Sequence, residues 1–334
     1  MRIKRIAAAA LLLLMVALPA LAQQKSEIKV TRQPSIIYMP TYIMEQKQLV
    51  EKHAAALGVP GLKVEWLEFT GGGNATDALL AGSIDIVNTG VGNMLLLWDR
   101  TRGGVKGIVG TAALPLVLVS REPHIRSLAD IRETDRIAVP TVRVSTQAIL
   151  LQIAAGKQFG AGQVNKFDGN TVQMSHPDAA VALSNPRHEV ATHFSAPPFI
   201  FQTLATVPGA HVVTSSQEIL GTPLTQAVLF TTQKFADANP KVVQAVHDAT
   251  AEAIAFMKSN TREAAELYRV GSKDRMTTDE LVAMLAQPGM MDFQTKPEGT
   301  MVFAEHLHRT GTLKTKPTAW TDYFFPVGHS LGGN

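Results

Sequence analysis

The chain has 334 residues and no cysteine, which excludes a disulfide framework, a thiol nucleophile, a cysteine-ligated metal and a lipid-modified cysteine. Its 31 Lys and Arg against 28 Asp and Glu give a formal charge of +3. Arg2, Lys4 and Arg5 supply that whole excess, so the remaining chain is neutral and lacks a basic run. We therefore expect neither nucleic acid nor an anionic membrane surface as a partner.

The first residues have the three parts of a secretory signal peptide. The basic start is followed by the apolar segment 6–18 and by the small-residue cleavage site Ala20-Leu21-Ala22. This apolar segment is too short to span a bilayer as a helix, which takes roughly 20 residues, so an uncleaved membrane anchor is the less favoured alternative. We predict that residues 1–22 are removed, with cleavage after Ala22, and that the mature chain is a soluble periplasmic protein.

The mature chain is too long for one typical hydrophobic core. Domains of roughly 100 to 200 residues are usual, so we expect two lobes. The sequence shows no internal repeat, low-complexity tract or long linker, and the lobes must therefore be joined by short crossings. The candidate crossings are Ala113 to Leu116 and Gly221 to Thr225.

Short β-rich runs alternate with helical patterns along the chain. Predicted strands at 64–69, 84–89 and 136–140 precede predicted helices at 74–81, 92–100 and 145–159. This alternation is typical of parallel α/β sheets. Further strands are predicted at 189–194, 210–215 and 227–231, and helices dominate the rest of the chain.

Three later segments carry signals for the beginning of a helix. Asn239-Pro240 combines a capping residue with proline in the first turn. The residues on one face of that helix are Val242, Val246, Ala249, Ala253 and Met257, which indicates a buried face. Asn260 with Glu263, and Thr277 with Glu280, have the spacing of capping boxes.

One motif, Gly328-His329-Ser330-Leu331-Gly332, matches the G-x-S-x-G nucleophile elbow of α/β-hydrolases. The elbow requires a strand before it, a helix after it, and an acid and a histidine later in the chain, but the sequence stops at Asn334. A secreted serine hydrolase that uses Ser330 is therefore only a remote alternative. We expect no catalytic residue.

Signals for a cofactor or a metal are weak. Gly90-Val91-Gly92 follows a predicted strand, but Leu95 occupies the position of the third glycine in a dinucleotide-binding fingerprint. Neither His306 with His308 nor Glu189 with His193 forms an H-E-x-x-H pattern. We expect no cofactor and no metal.

Three polar, glycine-containing or hydroxyl-containing turns connect a predicted strand to the beginning of a predicted helix. They are Thr70 to Asn74, Asn88 to Gly90, and Thr141 to Thr146. Helix beginnings offer unpaired backbone N–H groups, and glycine allows the backbone to approach a ligand closely. In parallel α/β sheets, ligands bind beyond the carboxyl ends of the strands, where these turns must lie. Each turn alone would also be typical of an ordinary loop.

Three segments in the same order resemble the periplasmic substrate-binding proteins of nitrate/sulfonate/taurine-type ABC importers, including the SsuA/THI5-like proteins. They are YMPTYIMEQKQLVEKHAAALG (38–58), ALLAGSIDIVNTGVGNML (78–95) and SLADIRETDRIAVPTVRVST (127–146). The resemblance covers nearly the whole mature chain. The sequence departs from it at Gln48-Leu49-Val50, where family members often have Gly-Leu-Phe, and at Arg143, in a turn usually built from glycine and serine.

The resemblance implies a type II periplasmic binding protein fold of class α/β, in which mixed sheets are flanked by helices and a ligand cleft lies between two lobes. Residues 23–114 and 225–334 would form lobe 1, and residues 115–224 lobe 2. The ligand-binding residues that it implies are Ser35, Tyr38, Tyr42, Thr70, Gly71, Gly72, Gly73, Asn88, Thr89, Gly90, Asn93, Leu114, Pro115, Arg143, Val144, Ser145, Thr146, Ser195, Ala196 and Pro197.

The sequence thus predicts a non-catalytic, monomeric binding protein that captures a small organic anion, a sulfonate or a carboxylate, by closure of the lobes. Helix-end N–H groups, the Ser145 and Thr146 hydroxyls and the Arg143 guanidinium would hold the anion. The partner would be an ABC importer permease in the inner membrane. An alternative within the family is a neutral nitrogen heterocycle such as a pyrimidine precursor, with Tyr38, Tyr42 or Phe199 against its ring. A sensory or structural protein that binds another protein is a further alternative.

Overall fold

A computed structural model describes residues 25–334, so the predicted signal peptide lies outside the described residues. The described chain forms two five-stranded mixed sheets flanked by helices. We call the first sheet with the helices packed on it the first lobe, and the second sheet with its helices the second lobe. No helix of residues 25–334 is both long enough and apolar enough to cross a membrane.

The first sheet has the strand order β2-β1-β3-β10-β4. Strands β1 to β3 are parallel to one another, whereas β10 is antiparallel to both β3 and β4. Their bounds are β1 (Glu27–Arg32), β2 (Lys63–Glu68), β3 (Ile86–Gly90), β4 (Val105–Ala112) and β10 (Ala227–Thr232).

The second sheet repeats this arrangement in the order β7-β6-β8-β5-β9. Strands β7, β6 and β8 are parallel, and β5 is antiparallel to both β8 and β9. Their bounds are β5 (Val117–Ser120), β6 (Arg136–Val139), β7 (Thr171–Gln173), β8 (Val190–Ser195) and β9 (His211–Ser215). Strands β10 and β5 each take the fourth place in the strand order of their sheet. Each is also the first strand that the chain forms after it crosses from the other sheet.

The helices are numbered in chain order, and most of them connect one strand to the next. In the first part of the chain they are α1 (Met39–Gln46), α2 (Leu49–Ala56), α3 (Gly72–Leu80), α4 (Val91–Arg100), α5 (Thr146–Phe159), α6 (His176–Ser184), α7 (Phe199–Thr206) and α8 (Ser216–Leu220). After α8 they are α9 (Gln233–Ala238), α10 (Pro240–Ser259), α11 (Thr261–Ser272), α12 (Thr278–Leu285) and α13 (Thr300–Arg309).

The strands and helices predicted from the alternating pattern are all present, within about two residues at each end, which is the usual scatter of helix and strand bounds. Sequence patterns missed strands β1, β4, β5 and β7. Strand β1 reads EIKVTR, in which charged residues interrupt the apolar ones, while β5 and β7 have only four and three residues. Such strands exist because neighbouring strands pair with them, which the local sequence does not show.

The helix-start predictions had different outcomes. Helix α10 begins at Pro240 and buries the predicted face in the hydrophobic core. The predicted capping box of Thr277 and Glu280 is confirmed at the beginning of α12. The predicted box of Asn260 and Glu263 is wrong, because the Asn260 side chain donates to the Phe256 carbonyl oxygen and the Ser259 hydroxyl instead of capping α11.

The chain crosses between the sheets twice. It leaves the first sheet after Ala112 and enters the second at Val117, and it returns to the first sheet at Ala227 after helix α8. Both candidate crossings lie in these stretches. The amide of Gln226 donates to the Leu114 carbonyl oxygen, so the two crossings are hydrogen-bonded to each other.

Candidate ligand site between the two lobes

Strand ends from both sheets meet at one cavity. The chain passes through Gln33 directly after β1, through Gly90 at the end of β3, and through Pro140 directly after β6, and all three residues line the cavity. Gln226 and Ala227 reach the same edge from the amino end of β10, because β10 is antiparallel to its neighbours. The cavity therefore lies beyond the carboxyl ends of the parallel strands, where α/β sheets bind ligands.

The cavity is small and is lined by polar side chains of both lobes. Its lining residues are Gln33, Ile37, Tyr38, Gly72, Thr89, Gly90, Asn93, Pro140, Thr141, Ser145, Thr146, Gln147, His176, Gln226 and Ala227. Its volume of about 30 Å³ is room for about two water molecules. An organic solute needs more room than this, so the lobes must move apart before one can bind there.

Four helices begin at this cavity. Helices α3 and α4 of the first lobe begin at Gly72 and Val91, and helices α5 and α6 of the second begin at Thr146 and His176. Gly71 and Gly90, the residues before α3 and α4, have no side chain that caps the first turn. Each helix has the positive end of its dipole at its amino end. Some of the first-turn N–H groups are already paired: Val91 N–H donates to the Gln226 carbonyl oxygen in α4. In α5 and α6, the Ser145 and Ser175 hydroxyls each accept one N–H, from Ala148 and Asp178.

On the side of the first lobe, a hydrogen-bonded cluster lines the cavity. The Gln33 amide donates to the Tyr38 hydroxyl at 2.8 Å and to the Thr89 hydroxyl at 2.6 Å. Burial raises the pKa of Tyr38 above its ordinary value, so its hydroxyl stays protonated at neutral pH. These neighbours fix the positions of the hydroxyl groups that face the cavity.

On the side of the second lobe, two histidines lie in a row behind Gln147. The Gln147 amide nitrogen is 3.2 Å from His176 Nε2, and His176 Nδ1 is 2.8 Å from His193 Nε2. Phe199 stacks on the ring of His176, with ring centroids 6.0 Å apart. Burial lowers the pKa of His176 to about 4 and the pKa of His193 well below its ordinary value, so both rings are neutral at pH 7.

The lining of the cavity is uncharged. Among the described residues that line the cavity, none carries a charged side chain at neutral pH. The Thr146 hydroxyl oxygen is buried and has no hydrogen-bond partner among residues 25–334. A buried polar atom without a partner costs about 1 to 3 kcal/mol, so this hydroxyl is available to a ligand.

The two lobes are in contact through glycines. A Cβ atom added to Gly92 would lie 2.5 Å from Ile149 Cδ1 and 2.6 Å from the Val144 carbonyl oxygen of the second lobe. A Cβ on Gly90 would lie 2.8 Å from the Thr146 hydroxyl. Both glycines therefore permit a backbone approach between the beginnings of α4 and α5 that no larger residue would permit without a shift.

A second contact between the lobes lies beside Tyr38. The Ser35 hydroxyl donates to the Pro197 carbonyl oxygen at 2.6 Å, and the Ile36 N–H donates to the same oxygen at 3.3 Å. Because Pro197 follows β8 of the second sheet, these hydrogen bonds join the lobes directly. Ser35 and Pro197 thus contact each other across the lobes and do not line the cavity.

The structure brings together part of the set of residues predicted from the sequence. The predicted residues that line the cavity are Tyr38, Gly72, Thr89, Gly90, Asn93, Ser145 and Thr146. The predicted residues that lie near it without lining it are Ser35, Gly71, Gly73, Asn88, Val144, Ser195, Ala196 and Pro197. Leu114 and Pro115 belong to a crossing, and Thr70 is exposed.

Two predicted residues lie elsewhere. Arg143 has a side chain that is 75% exposed, its Nε is 3.8 Å from a carboxylate oxygen of Asp168, and it does not line the cavity. Tyr42 is fully buried below the site, where its hydroxyl donates to Glu68 at 2.8 Å and the Arg32 guanidinium lies 3.8 Å from its ring centre. Tyr42 therefore belongs to the core of the first lobe.

Sequence reasoning missed several residues of the lining, namely Gln33, Pro140, Gln147, His176, Gln226 and Ala227. Two further lining residues lie within predicted ligand turns without having been named as ligand-binding: Thr141 begins the turn to Thr146, and Ile37 lies between Ser35 and Tyr38. A signal existed for His176, because Ser175-His176-Pro177-Asp178 combines a capping serine with proline in the first helical turn, as at α10. Gln33 and Gln226 immediately flank strands, but a glutamine next to a strand is equally common on a protein surface.

The rival chemical sites have no supporting geometry. Ser330 is exposed in a short 3-10 helix, Pro326–Leu331, instead of standing between a strand and a helix. The His329 ring hydrogen-bonds to the Phe324 carbonyl oxygen through Nε2, at 2.9 Å. In residues 25–334, no three His, Asp or Glu side chains lie close enough together to hold a metal ion.

Comparison with known proteins gives a consistent result for the fold. No protein-family model matches the sequence, and no curated protein matches it. Among solved structures, the alkanesulfonate-binding protein SsuA from Xanthomonas axonopodis pv. citri, bound to MOPS, is similar with a TM-score of 0.69 and 17% identity, over 88% of this chain and 96% of that one.

Two further structures extend the comparison. The periplasmic aliphatic sulphonate binding protein SsuA from Escherichia coli has a TM-score of 0.65 and 19% identity, over 90% of this chain and 92% of that one. A Candida albicans protein with the generic periplasmic binding protein fold has a TM-score of 0.62 and 12% identity, over 91% of this chain and 94% of that one. The chain therefore has the periplasmic binding protein fold, with two mixed five-stranded sheets flanked by helices.

Proposed function

We propose that this protein is the periplasmic solute-binding component of an ABC importer. It captures a small organic anion, a sulfonate or a carboxylate, between its lobes and delivers it as a monomer to a permease in the inner membrane. The observation that carries this proposal is the meeting of four helix beginnings, two from each lobe, at one buried cavity with an uncharged lining.

An uncharged lining suits an anion when helix beginnings supply the positive potential. Each helix end contributes about 0.3 to 1 kcal/mol to an exposed anion, and up to about 2 kcal/mol where the site is partly buried. Micromolar affinity corresponds to about 8 kcal/mol, so several donors must act together in a site without water. Thr146, with its unpaired hydroxyl, and Gln147 add donors at the beginning of α5.

The anion would contact both lobes, because two of the four helix beginnings belong to each lobe. Only the closed form brings all of them to the same point, so the ligand stabilises closure by its differential affinity for that form. A permease could then distinguish the closed, loaded protein from the open one. Similarity to the two sulfonate-binding structures supports this proposal at the level of fold.

A neutral nitrogen heterocycle is a second candidate, favoured by the number of carboxamides in the lining. Asn93, Gln147 and Gln226 each offer a donor and an acceptor, which is the pattern that pairs with the edge of a pyrimidine. Gln33 offers only its oxygen, because both of its N–H groups donate to Tyr38 and Thr89. We rank this candidate second because carboxamides alone can bind a neutral group. The four helix beginnings at the cavity would then have no role in binding.

Isothermal calorimetry with matched probes tests the proposal. Ethanesulfonate and propionate are titrated beside their neutral counterparts ethanesulfonamide and propionamide, with uracil as the heterocycle. We expect the anions to bind at least about 10-fold more tightly than the amides, which corresponds to about 1.4 kcal/mol. Equal affinity within the pairs would contradict an anion site, and binding of uracil alone would favour the second candidate.

A further inference from the structure

The row of Gln147, His176 and His193 constrains which atoms Gln147 presents to the cavity. Each neutral imidazole has one N–H and one bare nitrogen, and only the N–H donates a hydrogen bond. The 2.8 Å contact between His176 Nδ1 and His193 Nε2 therefore requires one ring to donate and the other to accept. Two arrangements satisfy this requirement.

In the first arrangement, both rings carry their proton on Nδ1. His176 then donates to His193, and its bare Nε2 accepts from the amide N–H of Gln147. The Gln147 oxygen is left for the cavity. The cost is a buried Nδ1–H of His193, because that atom has no hydrogen-bond partner among residues 25–334.

In the second arrangement, both rings carry their proton on Nε2. His193 then donates to His176, and His176 donates to Gln147, whose amide is turned by 180° so that its oxygen faces the ring. Both N–H groups of the Gln147 amide are left for the cavity. His193 Nδ1 is then a bare nitrogen, and a buried acceptor without a partner is tolerated more often than a buried N–H.

The two rings must therefore change tautomer together, and their common tautomer is linked to the orientation of the Gln147 amide. His193 is fully buried on the central strand β8, and Phe199 is stacked on His176, so neither ring has room to rotate away from the row. An anion has only acceptor atoms and selects the arrangement in which Gln147 offers two N–H groups.

We propose that Gln147, His176 and His193 form a tautomeric relay, in which an anionic group of the solute holds both rings as Nε2–H tautomers and the Gln147 amide as a donor. His176 and His193 are thus positioning residues that act through Gln147. This inference rests on the proposed function for the identity of the ligand, but the coupling of the two tautomers is a property of the protein without ligand.

Nitrogen NMR of protein with ¹⁵N-labelled histidine rings tests the relay, because the shifts of Nδ1 and Nε2 report which atom carries the proton. Variants His176→Gln and His193→Gln assign the two sets of signals. At pH 7 we expect two neutral rings with the same tautomer in the free protein, and two Nε2–H rings in the ethanesulfonate complex. Opposite tautomers, a charged ring, or an ethanesulfonate complex with Nδ1–H rings would overturn the relay.

A calorimetric experiment adds a readout of affinity. His176→Phe keeps an aromatic ring at the beginning of α6 but removes the N–H that holds the Gln147 oxygen away from the cavity, so ethanesulfonate should bind about 3- to 10-fold more weakly, the worth of one hydrogen bond. His308→Phe, on α13 and outside the cavity, is the matched control and should bind as the unchanged protein does. Unchanged affinity of His176→Phe would also count against the relay.

The two proposals fail in different ways. If calorimetry detects no ethanesulfonate or propionate binding to the unchanged protein, the proposed anion function fails. The tautomers of the free protein still decide whether the two rings are coupled. If His176→Phe does not fold, the spectra of the unchanged protein decide the question without that variant.

Discussion

At the scale of single residues, the exposure of Arg143 leads to a specific expectation. Its side chain is 75% exposed beside Asp168, and surface ion pairs of this kind contribute at most about 1 kcal/mol. Arg143→Ala should therefore change the affinity for ethanesulfonate less than about twofold, whereas Thr146→Val, which removes the unpaired hydroxyl, should weaken it about 10-fold. Calorimetry on the two variants checks this, and a larger loss in Arg143→Ala would contradict the described site.

The buried histidines also make stability depend on pH. Burial lowers the pKa of His176 to about 4 and that of His193 well below 6.5, so the folded protein resists protonation that the unfolded chain accepts. Their contribution to stability is complete above about pH 6.5 and is lost as the pH falls below it, by up to about 1.4 kcal/mol per pH unit for each ring.

Melting temperatures at pH 7, 6 and 5 test this dependence. We expect the melting temperature to fall over that range, and to fall less in the double variant His176→Gln/His193→Gln, which has lost both of these groups. An equal fall in the double variant would mean that other groups cause the pH dependence.

At the scale of elements, the contact between α4 and α5 tests whether closure matters. In Gly92→Ala, the added Cβ would meet Ile149 and Val144 of the second lobe at 2.5 and 2.6 Å. Alanine is favoured over glycine inside a helix by about 1 kcal/mol, so α4 itself should not be weakened. We expect a folded protein that closes poorly and binds ethanesulfonate at least about 10-fold more weakly.

Gly73 supplies the matched control for this variant. It is also the second residue of its helix, α3, but its Cβ would meet only Thr141, at an ordinary 3.7 Å. Gly73→Ala should therefore close and bind normally in the same calorimetric and small-angle scattering measurements. If Gly92→Ala also binds normally, the closed contact described here is not needed for binding.

The elements themselves were largely predictable from the sequence, and the site was predictable only in part. Strands such as β3 (IVNTG) and β8 (VATHFS) contain the β-branched or aromatic residues that are typical of strands, whereas β5 and β7 have only four and three residues. The turns that begin α3, α4 and α5 were visible because glycine and hydroxyl residues follow a strand there.

The missing part of the site depends on long-range contacts. Gln33 and Gln226 are far apart in the sequence and meet only because β1 and β10 lie on either side of β3. His176 pairs with His193 across α6 and β8. Arg143 lies in a turn that was predicted to bind the ligand, but its side chain faces the solvent. No feature of the local sequence tells which of the two directions the side chain takes.

At the scale of the whole molecule, we expect a change of shape on binding. A cavity of about 30 Å³ is too small for an organic solute, and residues 25–334 cross between the two sheets only twice. Small-angle scattering should show a larger radius of gyration for the solute-free protein than for the protein with saturating ethanesulfonate. An identical radius in both would indicate a protein that does not work by closure.

The central claim is that a small organic anion is bound between the lobes by uncharged donors. Native mass spectrometry of the protein purified without denaturation tests it most directly, with chemical identification of the molecule released on unfolding. We predict one sulfonate or carboxylate per protein in the unchanged chain, and a much smaller bound fraction in Gly92→Ala. Release of a neutral compound would contradict an anion site. An anion that Gly92→Ala still binds to the same extent would contradict binding by closure of the lobes.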